Sequence, residues 1–246
     1  MDFKRTVYVL PNIFTTANLF CGVYAIIATL NEKFFYAAVA ILLANVFDIA
    51  DGKVARITNT TSKFGVEYDS LCDLVSFGVA PAVLIYWWAL KPYGRFGWMA
   101  SFLFIACGAL RLARFNVMVE VAEKGRFIGL PIPAAASTIA SVFLFLNHFG
   151  KVDQKNIIIL VLTYLLSFLM VSNIRYLSFK ELDFIKKKPL TFLFFIILLF
   201  ILIASQPDIM IFTCLIIYVI SGPIEYFFKL NIFRRGRKNV RKGKNI

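Results

Sequence analysis

Four acidic residues stand in two short segments of this chain, at spacings that suit metal-assisted phosphoryl chemistry. Asp48 and Asp51 lie three apart in Asn45-Val-Phe-Asp-Ile-Ala-Asp-Gly-Lys-Val-Ala-Arg56, and Asp69 and Asp73 lie four apart in Phe64-Gly-Val-Glu-Tyr-Asp-Ser-Leu-Cys-Asp73. On a helix of 3.6 residues per turn these spacings leave the members of each pair only about 60° and about 40° apart around the axis, so each pair shares a face. The connection between the segments is short, which makes the two helices antiparallel neighbours and brings four carboxylates together. Arg56 neutralises part of that charge, and hard divalent cations with oxygen ligands, Mg²⁺ or Mn²⁺, are the natural remedy for the rest. Such ions, bridged by carboxylates, clamp a phosphoryl or pyrophosphate group for displacement. Gly52, Ala55 and Gly65 fit the same picture, because small residues admit close helix approach and leave room for a ligand against the backbone.

The elements that must position these acids lie in a bilayer. Of 246 residues, 60% are hydrophobic and only 17% charged, with 27 phenylalanines and a mean hydropathy of +0.76. That is more apolar surface than one soluble interior hides, which excludes an ordinary soluble domain. The net charge of +13 in such a chain sets topology and meets anionic lipid, so nucleic acid is not expected as a partner. Cys21, Cys72, Cys107 and Cys214 are far apart in apolar surroundings and form neither a disulfide framework nor a zinc spacing. The one histidine, His148, ends an apolar run beside Asn147 and Gly150 and receives no catalytic role. The opening apolar stretch is too short, and too broken by Pro11, for a signal peptide, so the chain is expected to be retained whole.

Counting about 20 apolar residues per crossing predicts an all-α integral membrane protein of about eight transmembrane helices, near 16–31, 33–54, 66–90, 97–118, 131–149, 156–177, 190–205 and 209–228. Residues 4–14 carry apolar side chains at spacings of three and four beside Lys4 and Arg5, which suits a short N-terminal helix lying in the interface. Under this assignment 22 of the 27 Lys and Arg fall on one side of the bilayer, which predicts that both termini are cytoplasmic. The acids then lie at the cytoplasmic interface. The basic run from Lys229 to Lys244 is expected to be a solvated tail against anionic headgroups.

With these residues in view, the chain resembles the CDP-alcohol phosphotransferases. Asp48-x-x-Asp51-Gly52-x-x-Ala55-Arg56, then eight residues, then Gly65-x-x-x-Asp69-x-x-x-Asp73, matches that family's signature without a departure. The resemblance implies an integral-membrane enzyme that transfers a phosphatidyl-type group from a CDP-linked lipid to an alcohol and releases CMP. It also implies that Asp48, Asp51, Asp69 and Asp73 hold one or two divalent ions, that Asp73 is also the general base, and that Gly52, Ala55, Arg56 and Gly65 contact the CDP moiety. Thr15 and Asn18 are expected either to face the nucleotide or to hydrogen-bond between helices. A homodimer is implied by the resemblance alone.

Further segments look like the branch of that family that uses serine: Leu10-Pro-Asn-Ile-Phe-Thr-Thr-Ala-Asn-Leu-Phe-Cys-Gly22, Leu110-Arg-Leu-Ala-Arg-Phe-Asn116, Phe127-Ile-Gly-Leu-Pro-Ile-Pro-Ala134 and Ser172-Asn-Ile-Arg-Tyr-Leu-Ser-Phe-Lys180. This points to CDP-diacylglycerol, or an ether analogue, as donor and to L-serine as acceptor. From the residues themselves, Arg111, Arg114, Asn116, Arg175 and Lys180 gather at the cytoplasmic ends of the fourth and sixth spans, where they can bind an acceptor carboxylate, bind lipid phosphates or anchor the helices at the headgroups. The expected organisation is a catalytic membrane domain over 1–180, two further spans over 181–228, and a basic tail over 229–246. Glycerol 3-phosphate or inositol phosphate as acceptor is the alternative within the same chemistry. A divalent-cation transporter is the alternative from another class, although no charged path leads from the acids to the opposite face.

Overall fold

A computed structural model of the chain describes residues 3–58, 62–118, 126–150, 156–177 and 205–242. The elements are helices apart from one short ribbon. In order they are α1 (Phe3–Leu30), α2 (Phe34–Ile57), α3 (Lys63–Asp73), a π-helical segment (Leu74–Val79), α4 (Ala80–Ile85), a second π-helical turn (Tyr86–Leu90), α5 (Arg95–Met118), β1 (Arg126–Ile128), α6 (Ile132–His148), α7 (Ile157–Val171), β2 (Arg175–Leu177) and α8 (Pro207–Lys242). Five helical stretches are long and apolar enough to cross a membrane: Asn12–Leu30, Phe34–Ile57, Lys63–Tyr93, Arg95–Val117 and Pro207–Tyr226. Ile132–His148 and Ile157–Val171 are shorter apolar helices. Of the eight expected spans, that near 190–205 lies outside the described residues.

The outward side chains confirm the solvent. Phe20, Phe64, Leu71, Phe102 and Phe168 are all more than 60% exposed, and similar residues stud every long helix. Such a surface would aggregate in water and is at rest among acyl chains. The interior is close-packed where helices meet. Ala25 and Ala28 of α1 face Ala37, Ile41 and Ala44 of α2, all buried, and these small residues at helical spacing let the two backbones approach. Phe77, Leu84, Ile85, Trp88, Phe104, Ile132 and Ile139 fill the centre, with Trp88 edge-on to Phe143 at 5.1 Å. Several interior polar groups are satisfied within the bundle: Asn45 donates to Ser137 Oγ at 3.0 Å, and Thr138, Thr163 and Ser167 bond carbonyls of their own helices.

Several boundaries differ from the sequence expectation. Residues 4–14 do not form a separate interfacial helix, because α1 runs unbroken over Phe3–Leu30. The sixth apolar segment is helical only to Val171, since Ser172 caps it in an extended conformation and the chain turns into β2. The ribbon itself was not expected. Arg126, Phe127 and Ile128 pair antiparallel with Leu177, Tyr176 and Arg175. Gly129 makes the exit from β1 possible: its φ is +80°, and a Cβ there would collide with the Met170 carbonyl oxygen. Its N–H donates to Ile174 O at 2.8 Å, and the next N–H, of Leu130, donates to Leu169 O at 3.0 Å. At the other end of the chain, α8 continues as helix through Lys242, well into the basic run expected to be a tail.

Candidate active site

The acids sit where the hydropathy pattern gives out at adjoining ends of α2 and α3. Ser62 starts α3 by accepting a hydrogen bond from the Gly65 N–H at 3.0 Å. The periodicity of the helices then does the rest. Carboxylate oxygens of Asp48, Asp51 and Asp69 lie within 4.8 Å of one another, close enough to ligate a common cation. Asp51 and Asp73 are buried, at 6% and 7% exposure, and Oδ1 of Asp69 is buried with no hydrogen-bond partner. Three carboxylates turned inward together, one with a lone oxygen, form a hard donor set that fits Mg²⁺ or Mn²⁺. Asp73 stands beside this trio rather than within it, in electrostatic contact with all three.

The first helix orients the cluster from behind. Thr15 Oγ1 donates to Asp51 Oδ2 at 3.0 Å, and Asn18 Nδ2 donates to Asp73 Oδ1 at 3.0 Å. Both residues therefore serve the acids, and Thr15 lines the neighbouring cleft as well. Asn18 is itself fixed by its backbone, whose carbonyl accepts from Ser76 Oγ at 3.0 Å. Ser76 belongs to the π-helical segment that begins directly after Asp73, and such segments shift the side-chain register of a helix at functional positions. Gly22 permits the contact, since a Cβ there would lie 2.7 Å from the Ser76 Cα. A further bond between Thr16 and Tyr68, at 3.0 Å, ties α1 to α3 near the cleft.

Beside the acids opens a cleft of about 200 Å³ lined by Asn12, Thr15, Asp51, Gly52, Ala55, Arg56, Ser62, Gly65, Val66 and Asp69. All four residues implied to contact CDP are among them. The absence of a bulky side chain at Gly52, Ala55 and Gly65 is what makes the space. Arg56 bends back to donate from Nε to the Gly52 carbonyl at 2.6 Å, which holds a guanidinium at the rim. Asn12 and Ser62 were missed by the sequence reading. Asn12 was within reach of it, because Asn12, Thr15, Asn18 and Gly22 recur at steps of three, three and four and so share one face of α1. Ser62 carried only a capping signal.

The expected acceptor residues divide. Arg111 of α5 is 8% exposed and interacts electrostatically with Asp73, which places it at the acidic cluster. Arg114 instead reaches Asn173 Oδ1 at 2.9 Å, between α5 and the start of the ribbon. Asn116 exchanges hydrogen bonds with Ser70 at 3.0 and 3.2 Å and braces α5 against α3. Arg175 pairs in the ribbon opposite Ile128, and Lys180 lies outside the described residues.

Fold and site together define a multi-span membrane protein with a carboxylate centre beside an open cleft. The chain belongs to the CDP-alcohol phosphatidyltransferase family, whose signature matches residues 8–169. It is 38% identical over 224 residues to a CDP-diacylglycerol–serine O-phosphatidyltransferase of Helicobacter pylori, covering 90% of this chain and 92% of that protein. A protein of the same name from Methanocaldococcus jannaschii is 37% identical over 222 residues, 90% of this chain and 96% of the relative. An archaetidylserine synthase of Methanothermobacter thermautotrophicus is 38% identical over 178 residues, 71% of this chain and 72% of the relative. Enzymes of this family use a divalent metal, and the Asp48, Asp51 and Asp69 trio fits one.

Proposed function

We infer that this chain transfers a phosphatidyl group from CDP-diacylglycerol to the hydroxyl of L-serine, yielding phosphatidylserine and CMP. The observation that carries this reading is the convergence of three motif carboxylates beside a cleft lined by the motif's small residues. It stands in a chain whose relatives over 90% of its length are named for serine transfer.

Asp48, Asp51 and Asp69 would hold a divalent ion, Mg²⁺ or Mn²⁺, and Asp73 would join in holding a second if two are used. When bound, the ion supplies Lewis-acid stabilisation of the pyrophosphate and of the charge that develops on the departing CMP. Gly52, Ala55 and Gly65 let the CDP moiety lie against the helix backbones, and Arg56 and Thr15 bind it from the rim. Asp73 accepts the proton of the serine hydroxyl, whose oxygen bonds to the β-phosphorus as the bond from that phosphorus to the oxygen shared with CMP breaks. The electron pair leaves with CMP. Asn18 holds Asp73 through Oδ1, leaving Oδ2 for this proton. Arg111 answers the negative charge of an acceptor, and Arg114, Asn116, Arg175 and Lys180 support that side of the site. The work is done at the cytoplasmic face of the inner membrane, where the positive-inside count places the acids and both termini, in the domain over 1–180. A homodimer completes the reading.

The test is incorporation of labelled serine into lipid by the purified protein given CDP-diacylglycerol and Mn²⁺ or Mg²⁺. Labelled phosphatidylserine is the expected product. Incorporation of glycerol 3-phosphate or inositol phosphate in place of serine would keep the chemistry and replace the acceptor. Liposomal Mg²⁺ uptake with no lipid product would overturn the enzyme.

A further inference from the structure

Helix α8 outruns the membrane span with which it begins. Its apolar stretch ends at Tyr226, yet the helix continues to Lys242, about 24 Å further at 1.5 Å per residue. Residues 227–246 contain eight Lys and Arg and no acid. Arg234 and Lys238, Arg237 and Arg241, and Lys238 and Lys242 are like-charged at a spacing of four, which destabilises a helix standing alone in water. A helix in this stretch therefore calls for a surface of opposite charge.

The residue types are also sorted around the axis. At about 100° per residue, the positions of Arg234, Arg235, Arg237, Lys238, Arg241 and Lys242 fall within an arc of about 160°. Those of Ile232, Phe233, Gly236 and Val240 fall within the opposite arc of about 100°. An apolar stripe facing a basic one is the pattern of a helix that lies in a bilayer interface. A nucleic acid would answer the cations and leave the apolar stripe in water. An anionic bilayer surface answers both, and α8 is already in a bilayer where this stretch begins. There the helix is fixed: the Tyr176 hydroxyl donates to Val219 O at 3.2 Å, and Gly222 leaves the notch for the Tyr176 ring, since a Cβ there would collide with it.

We propose that the segment from Asn231 to Lys242 docks on an anionic lipid surface, with Ile232, Phe233 and Val240 entering the boundary between headgroups and acyl chains and the six cations meeting the headgroup anions. Docking does not depend on which alcohol accepts the phosphatidyl group. Phosphatidylserine, the proposed product, is one lipid that carries the charge it requires.

Backbone hydrogen exchange over 231–242 tests the docking, on the full chain in nanodiscs of neutral phosphatidylcholine alone or with about a third phosphatidylglycerol, no substrate being added. Exchange about tenfold slower in the anionic discs is expected, with the difference reduced by about 1 M salt. Arg234→Gln, Arg235→Gln, Arg237→Gln and Lys238→Gln together are expected to abolish the difference between the two discs. Phe233→Asp, which keeps every cation, is expected to shrink it by about half or more. Unchanged exchange over 209–226 in each variant marks the span as intact. Equal exchange of the wild-type segment in the two discs, whether fast or slow, would overturn the docking. Protection of Phe233→Asp equal to wild type would overturn the embedded apolar stripe.

Discussion

The two sides of the site are built by different means. On the proposed donor side, α2 and α3 carry acids, glycines and an arginine at fixed helical spacings, and the two helices, the second capped by Ser62, are close neighbours in sequence. On the proposed acceptor side, Arg111 of α5 is buried, and Arg114 of the same helix reaches Asn173 beside a ribbon whose strands, Arg126–Ile128 and Arg175–Leu177, are themselves far apart in the chain. Chemistry that is common to a family can live on local spacing, whereas the side proposed to meet the acceptor draws on distant segments.

The largest effects are expected on the donor side. Asp73→Asn removes the proposed base and is expected to lower the rate of CMP release by about 10²- to 10⁴-fold. The substitution is expected to alter CDP-diacylglycerol affinity much less, as a binding measurement on the same variant would check. Asp51→Asn or chelation of divalent ions is expected to abolish turnover, with activity restored by Mn²⁺ or Mg²⁺ after chelation and not in the variant. Full activity in the presence of excess chelator would break the distinction between a metal-holding trio and a separate base.

Next in size is the α1 support of the acids. Asn18→Ala removes the donor to Asp73 Oδ1 and is expected to cost about one to two orders of magnitude in kcat, with KM values close to wild type. Gly22→Ala pushes a methyl group into the Ser76 backbone and is expected to destabilise the protein by about 1–3 kcal/mol, read as a lowered Tm in detergent. If Gly22→Ala were stable but inactive, the π-helical segment would be a catalytic device and not only a packing one.

How much of this was legible follows the same division. The acids, Gly52, Ala55, Arg56 and Gly65 could be read directly, because helical periodicity converts spacing into geometry when both residues share one helix. Thr15 and Asn18 were found as residues, but two roles stayed open until Asp51 and Asp73 appeared as their partners. Asn116 was expected to bind the acceptor or a lipid phosphate, and its bonds to Ser70 were not foreseen, since an amide in an apolar helix gives no sign of which neighbour it faces. The ribbon was invisible: strands of three residues carry too little alternation to register, and their pairing depends on the positive φ of Gly129.

The smallest expected effect lies at the far end of the molecule. His148, at the end of α6, meets Asp208 of α8 at 3.4 Å, with both side chains partly exposed. Loss of this contact in Asp208→Asn is expected to change stability by less than about 1 kcal/mol and leave CMP release unaltered. A large loss of activity would show that α8 is held in place from this end as well as through the Tyr176 hydroxyl, which donates to Val219 O at 3.2 Å.

The central claim is that one carboxylate centre couples serine consumption to CMP release. Its most direct test is the stoichiometry of the two, measured on purified protein with CDP-diacylglycerol and Mn²⁺ or Mg²⁺, beside the Asp73→Asn variant. Equal amounts of CMP released and serine incorporated, both lost in the variant, are the predicted result. CMP released at the same rate without serine, or retained in the variant, would contradict it.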